Sequence, residues 1–177
     1  RLVSMLFFLT CTKKMIVLQG MCYAGKTTLG AILARELNRP FLDSRDLFQR
    51  THRMSETEYL TRFGQTAFCE AEKESLRQPL GDIVLSVGGS ACYYQDIMTT
   101  LKAKHTIVWL NVAFPEIQRR RQAEGKDRPI VFPKGINTLK QLYDQRKGLY
   151  AATHHIQVEV TDVTTPKAVV DQILAQL

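Results

Sequence analysis

Apolar and polar positions alternate in blocks along this 177-residue chain. A short β-rich run at Met15 to Gln19 is followed by Gly25 to Leu37, where Leu29, Ile32, Leu33 and Leu37 recur at helical spacing until Asn38 and Pro40 end the pattern. Phe41 to Asp43 predicts a second short strand. The stretch from Ser55 to Gln78 predicts one or two polar amphipathic helices stopped by Pro79. Ile83 to Val87 and Thr106 to Asn111 are continuous apolar runs of the kind buried on both faces, which predicts two central strands. Pro115 to Gln122 predicts a helix opening on proline, Glu124 to Lys134 a charged loop broken by glycine and proline, and Leu139 to Ala152 another helix. A strand near Ile156 to Val160 and a helix from Pro166 to Leu177 close the chain. Strands alternating with helices predict an α/β fold around a mostly parallel sheet.

Length allows one domain, with residues 1–14 as an extension to which no function is given and residues 15–177 as the folded unit. The apolar run Leu2 to Leu9 is too short to span a bilayer, and Lys13 and Lys14 follow it instead of preceding it as a secretory signal requires. Cys11, Cys22, Cys69 and Cys92 are too dispersed for a zinc site or a disulfide scaffold, so a reducing, cytoplasmic setting is expected. The 24 Lys and Arg against 17 Asp and Glu leave a formal charge of +7, which favours anionic partners. Nucleic acid is set aside because the basic positions lack interleaved aromatic residues.

The chemistry concentrates at strand ends. Gly20-Met-Cys-Tyr-Ala-Gly25-Lys26-Thr27 has the spacing of a phosphate-binding loop and stands between a predicted strand and a predicted helix, as that loop requires. Its backbone N–H groups would face a phosphate, Lys26 would reach the outer phosphates, and the Thr27 hydroxyl would ligate Mg²⁺. Asp43, ending the next strand, is placed either to hold Mg²⁺ or to cap the following helix. Asp46 is a candidate proton acceptor or a second helix-start residue. Gly88-Gly89-Ser90 ends a central strand, where it either lets a substrate approach the backbone or makes a turn. Arg119 to Arg121 read as a solvated helix face, whereas Arg128 lies in a loop able to close over a transferring phosphoryl group.

Gly-x4-Gly-Lys-Thr, Phe-x-Asp, Phe63-Gly64-Gln65-x-Ala67-Phe68, Gly88-Gly89, Arg128-Pro129 and Arg146-Lys-Gly-Leu149-Tyr150 together resemble the shikimate kinases, in order and at similar spacing from Met15 to the C-terminus. The resemblance implies a three-layer α/β/α P-loop kinase fold with a five-stranded parallel sheet and a mobile lid at about residues 124–136. It implies ATP on Tyr23, Ala24, Gly25, Lys26, Thr27 and Thr28, with adenine between Arg120 and Pro166. It further implies Mg²⁺ on Thr27 and near Asp43, a lid arginine at Arg128 and a carboxylate-binding arginine at Arg146.

Four positions depart from the family. Its second acidic residue is replaced by Arg45, its arginine after the phenylalanine matching Phe68 by Cys69, its third glycine by Ser90, and the acidic residue after Phe-x-x-x-Gly by Gln65. The nucleotide side persists and the acceptor side is altered. The expected activity is transfer of the ATP γ-phosphate to a hydroxyl of a small, anionic metabolite, shikimate or another, by a monomer. Lys26 and Arg128 would stabilise charge, Asp46 would orient the hydroxyl, and Arg45, Gly88, Gly89 and Arg146 would bind the acceptor. The rival reading is a nucleotide-binding protein without transfer activity, acting as a regulator or partner of another protein.

Overall fold

The computed structural model describes residues 14–125 and 129–177. Residues 1–13, which hold nearly all of the expected extension, and Arg128 lie outside the described residues. Five strands, β1 (Ile16–Gln19), β2 (Phe41–Asp43), β3 (Val84–Ser86), β4 (Thr106–Val112) and β5 (Ile156–Val160), form one sheet in the order β2-β3-β1-β4-β5 with every pairing parallel. Among the described residues seven α-helices accompany them: α1 (Lys26–Glu36), α2 (Ser44–His52), α3 (Glu56–Leu76), α4 (Gln95–Lys104), α5 (Phe114–Glu124), α6 (Leu139–Thr153) and α7 (Pro166–Leu174). This is the α/β architecture expected from the alternation. No helix among the described residues is long and apolar enough to cross a membrane.

Burial explains the strand sequences. Side chains alternate across a strand, so along β1 Ile16 and Leu18 join the core beneath α1 and α7, while Met15 and Val17 join the core built with Ile97, Met98 and Leu101 of α4. Both faces are covered, hence the mainly apolar sequences of β1, β3 and β4. At the edge, β5 buries Ile156, Val158 and Val160 and exposes Gln157 and Glu159. Phe48 of α2 and Phe68 and Ala71 of α3 form a third, smaller core with Val131, flanked by Tyr59, Leu60 and Cys69.

One helix departs from the pattern reading, and a second falls between its one-helix and two-helix alternatives. The first, α4, was not anticipated, because Gln95 to Lys104 shows only Ile97, Met98 and Leu101 as an apolar stripe amid polar residues. The second, α3, is broken at Gly64, where φ 78° and ψ 172° place the backbone in a region that only glycine occupies readily. The bend turns the two halves of α3 toward a common cavity. Gln65, just past it, donates from Nε2 to Phe132 O at 2.9 Å and accepts from Phe132 N at 3.3 Å. An amide serves both contacts; a carboxylate lacks the donor.

Candidate active site

The carboxyl ends of β1, β2 and β3 open on one cleft of about 430 Å³, at the sheet edge where parallel α/β folds place their ligands. At one end β1 runs into the loop at 20–25. Lys26 Nζ donates to Gly20 O and Met21 O, both at 2.8 Å, so the lysine braces the loop whose mouth it guards. Gly25, at φ 88°, stands at the N-cap of α1 with no side-chain cap, and the first turn of α1 holds no acidic residue. The N–H groups opening this 11-residue helix therefore have no side-chain cap, an arrangement that fits an anion.

Beside the loop, Thr27 Oγ1 donates to Asp43 Oδ2 at 2.7 Å. Asp43 Oδ1 accepts the Arg45 backbone N–H at 3.1 Å, which caps α2, and Arg45 Nε at 3.1 Å. One Asp43 oxygen therefore caps the helix, as the second expectation has it, while the other meets the Thr27 hydroxyl. Burial opposes ionisation of Asp43, but the Arg45 guanidinium, the Thr27 hydroxyl and the Arg45 N–H outweigh it and hold the carboxyl below its ordinary range. A divalent cation fits at the Thr27 and Asp43 oxygens on one condition: Arg45, which also reaches Thr27 Oγ1 at 3.3 Å, must release them. No group of three or more metal-binding side chains occurs among the described residues, so such a cation would be shared with ligand oxygens in the manner of Mg²⁺ with phosphates.

Arg120 of α5 donates from Nη1 to Tyr23 O at 3.2 Å and from Nε to Glu116, and it lines the cleft with Pro166 at the start of α7.

The far end belongs to β3, α3 and α6. Arg146, 2% exposed, donates from Nη2 to Val131 O at 2.9 Å and from Nε to Tyr93 Oη at 3.4 Å, and its guanidinium stands over the Tyr93 ring. No carboxylate of the described residues pairs with it. A buried cation without a paired anion is costly, which suits a site for an anionic ligand group. Gly89 lies against it, and a Cβ there would stand 2.8 Å from Arg146 Nη1.

Glu72, also 2% exposed, accepts on Oε2 from Ser90 Oγ at 2.6 Å and from Tyr94 Oη at 2.5 Å. Burial pushes its carboxyl above the ordinary range against the pull of those hydroxyls. Ser90 is therefore engaged with Glu72. Gly88 is needed for the approach of Glu72 Oε1, which a Cβ would meet at 2.3 Å. Gly88→Ala is expected to destabilise the fold by about 1–3 kcal/mol through overpacking, read as a lower urea midpoint; an unchanged midpoint would show that Glu72 yields freely.

Most of the expected residues meet here: Tyr23, Ala24, Gly25, Lys26, Thr27, Thr28, Asp43, Arg45, Gly88, Gly89, Arg120, Arg146 and Pro166 all line the cleft. Asp46 does not. It is exposed on the first turn of α2 and absent from the lining, because one helical residue turns a side chain by about 100°. Pro129, Ile130 and Val131 carry the segment after Arg128 along the cleft wall. The sequence reading passed over Glu56 and Glu72, which also line it. Glu56 opens α3 behind Ser55, in a capping box with Glu58 that marks a helix start and conceals a pocket residue.

The family model for shikimate kinase matches residues 23–177. A shikimate kinase of Bacillus licheniformis is 30% identical over 168 residues, covering 93% of each chain. One from Chromohalobacter salexigens is 34% identical over 164 residues, covering 90% of this chain and 89% of its own. Among solved structures, the Acinetobacter baumannii shikimate kinase in complex with shikimate superposes with a TM-score of 0.81 at 26% identity, over 92% of both chains. That of Bacteroides thetaiotaomicron gives 0.79 at 28% identity, over 93% of this chain and 99% of that one. A sugar kinase from Janibacter, at 15% identity and a TM-score of 0.57, shares the fold.

Proposed function

Because the chain belongs to the shikimate kinase family of small-molecule phosphotransferases, we propose that it transfers the γ-phosphate of ATP to a hydroxyl of a small, anionic metabolite. The observation that carries the reading is a single cleft with an anion-ready loop at one end and the buried, carboxylate-free Arg146 at the other.

In this reading the phosphates rest on the N–H groups of residues 23–28 at the start of α1, with the Lys26 ammonium on the outer ones, and adenine lies between Arg120 and Pro166. Arg146 takes the acceptor's anionic group, and Gly88 and Gly89 leave room for its ring or chain. Thr27 and, directly or through water, Asp43 hold Mg²⁺, which when bound neutralises charge on the outer phosphates. Arg45 gives up Thr27 and Asp43 as the nucleotide enters and keeps its charge near the acceptor. Arg128, which the family resemblance gives as the lid arginine, is the lid cation. Phosphoryl transfer asks mainly for positioning and charge stabilisation, so the acceptor side tolerates replacement of a carboxylate by Arg45. The dispersed cysteines support a reducing cytoplasm, and one chain supplies every group used, so a monomer suffices.

The test is coupled ADP release with Mg·ATP against shikimate and a panel of hydroxylated carboxylic acids. Acceptor-dependent, saturable release is expected with at least one of them, and the best acceptor names the substrate. Tight ATP binding with no acceptor-dependent release from any would sink the kinase reading. It would favour instead a regulatory nucleotide-binding protein, a role consistent with Arg45 covering Thr27 and Asp43.

A further inference from the structure

The carboxylates at the acceptor end are in different states. Asp43 is taken up by Thr27, the Arg45 guanidinium and the Arg45 N–H. Glu72 is buried beneath the hydroxyls of Ser90 and Tyr94. Glu56 lines the same cleft and makes no hydrogen bond to a described residue. It is held there at the first residue of α3 by the reciprocal bonds of Ser55 and Glu58, at 3.2 and 2.9 Å, and the bend at Gly64 brings it to the cavity that Glu72 shares.

We propose that Glu56 is the acceptor-side base: its carboxylate accepts a hydrogen bond from the reacting hydroxyl of the metabolite and takes that proton during transfer. As the hydroxyl oxygen bonds to the γ-phosphorus of ATP, the bond from that phosphorus to the β–γ bridging oxygen breaks, ADP leaves with the electron pair, and the proton on Glu56 passes to water. The inference rests on the kinase reading above and names a carboxylate that stands in for the one replaced by Arg45.

Three charged groups bear on this one. Burial first, then the Glu72 carboxylate, push the Glu56 proton affinity up to about pH 7; Arg45 pulls it down and Asp43 adds to the rise. A base is most useful when its affinity lies near the working pH. The ionised, competent form predominates above about pH 7, so activity should climb through neutrality as pH rises.

Initial rates of ADP release with the fastest acceptor of the panel, over about pH 5.5–9, provide the test. Glu56→Gln is expected to lower kcat about 10- to 100-fold, the lower part of the general-base range because the transition state of phosphoryl transfer is loose. The KM for ATP should stay within about threefold, as the nucleotide end is untouched, and the acid limb near neutrality should disappear. Glu56→Asp keeps the charge but withdraws it by one methylene, and should fall between; it also serves if the glutamine variant folds poorly. Wild-type kcat with an intact acid limb in Glu56→Gln would overturn the assignment and leave the kinase reading standing. Absence of acceptor-dependent release by the wild type, with ATP still bound, would overturn both.

Discussion

Lys26→Ala is expected to lower kcat/KM about 10³-fold or more and to weaken ATP binding. The ammonium has two duties. In the structure it donates to Gly20 O and Met21 O and so holds the loop in shape; with ATP bound it faces charge that grows on the outer phosphates in the transition state. Single preorganised donors and cations in such sites are worth about 10²- to 10⁵-fold, and losing the brace as well places this residue in the upper part of that range. Lys26→Arg keeps the charge but not the compact ammonium that fits two carbonyls 2.8 Å away, so it should rescue little. Coupled ADP release with equilibrium binding of a fluorescent ATP analogue separates the two effects. Retention of turnover within tenfold of wild type would remove Lys26 from the mechanism.

Arg146→Ala should lower kcat/KM for the acceptor about 10²- to 10³-fold while leaving the KM for ATP near its wild-type value. Truncating one member of a buried charge pair commonly costs about 2–5 kcal/mol, and here the partner is the ligand itself, because no carboxylate of the described residues pairs with the guanidinium. Its fork is already fixed by Val131 O and the Tyr93 hydroxyl and ring, so little ordering is left for binding to do. Arg146→Lys keeps the charge and loses the fork, and an intermediate rate is expected. If Arg146→Ala weakens every acceptor alike, anionic or neutral, the residue is a structural post.

The nucleotide end was legible in the sequence because its geometry is local. Gly20 to Thr27 is one uninterrupted stretch joining β1 to α1, and the strand ends at Asp43 and Gly88 follow from short apolar runs. The acceptor end is made by tertiary folding. Asp46 and Glu56 are both acidic residues at helix starts, and only the path of α2 and the bend at Gly64 put the second in the cleft and the first in solvent. Ser90 pointed to a substrate contact, yet the hydroxyl meets Glu72, 18 residues away on another element. Helix α4 was hidden for a related reason, since a narrow stripe of three apolar residues suffices when only one face of a helix meets the sheet.

The small core of Phe48, Phe68, Ala71 and Val131 sets the terms on which this protein diverges. It supports α2 and much of α3, with Leu76 and Cys69 of α3 also reaching the larger core on the α4 side, so most residues facing the acceptor can be exchanged without unsettling the phosphate loop. Changes such as Arg45 and Cys69 are then inherited as edits to a separable cassette. Grafting residues 44–76 onto a relative should transplant acceptor preference while the recipient keeps its own handling of ATP.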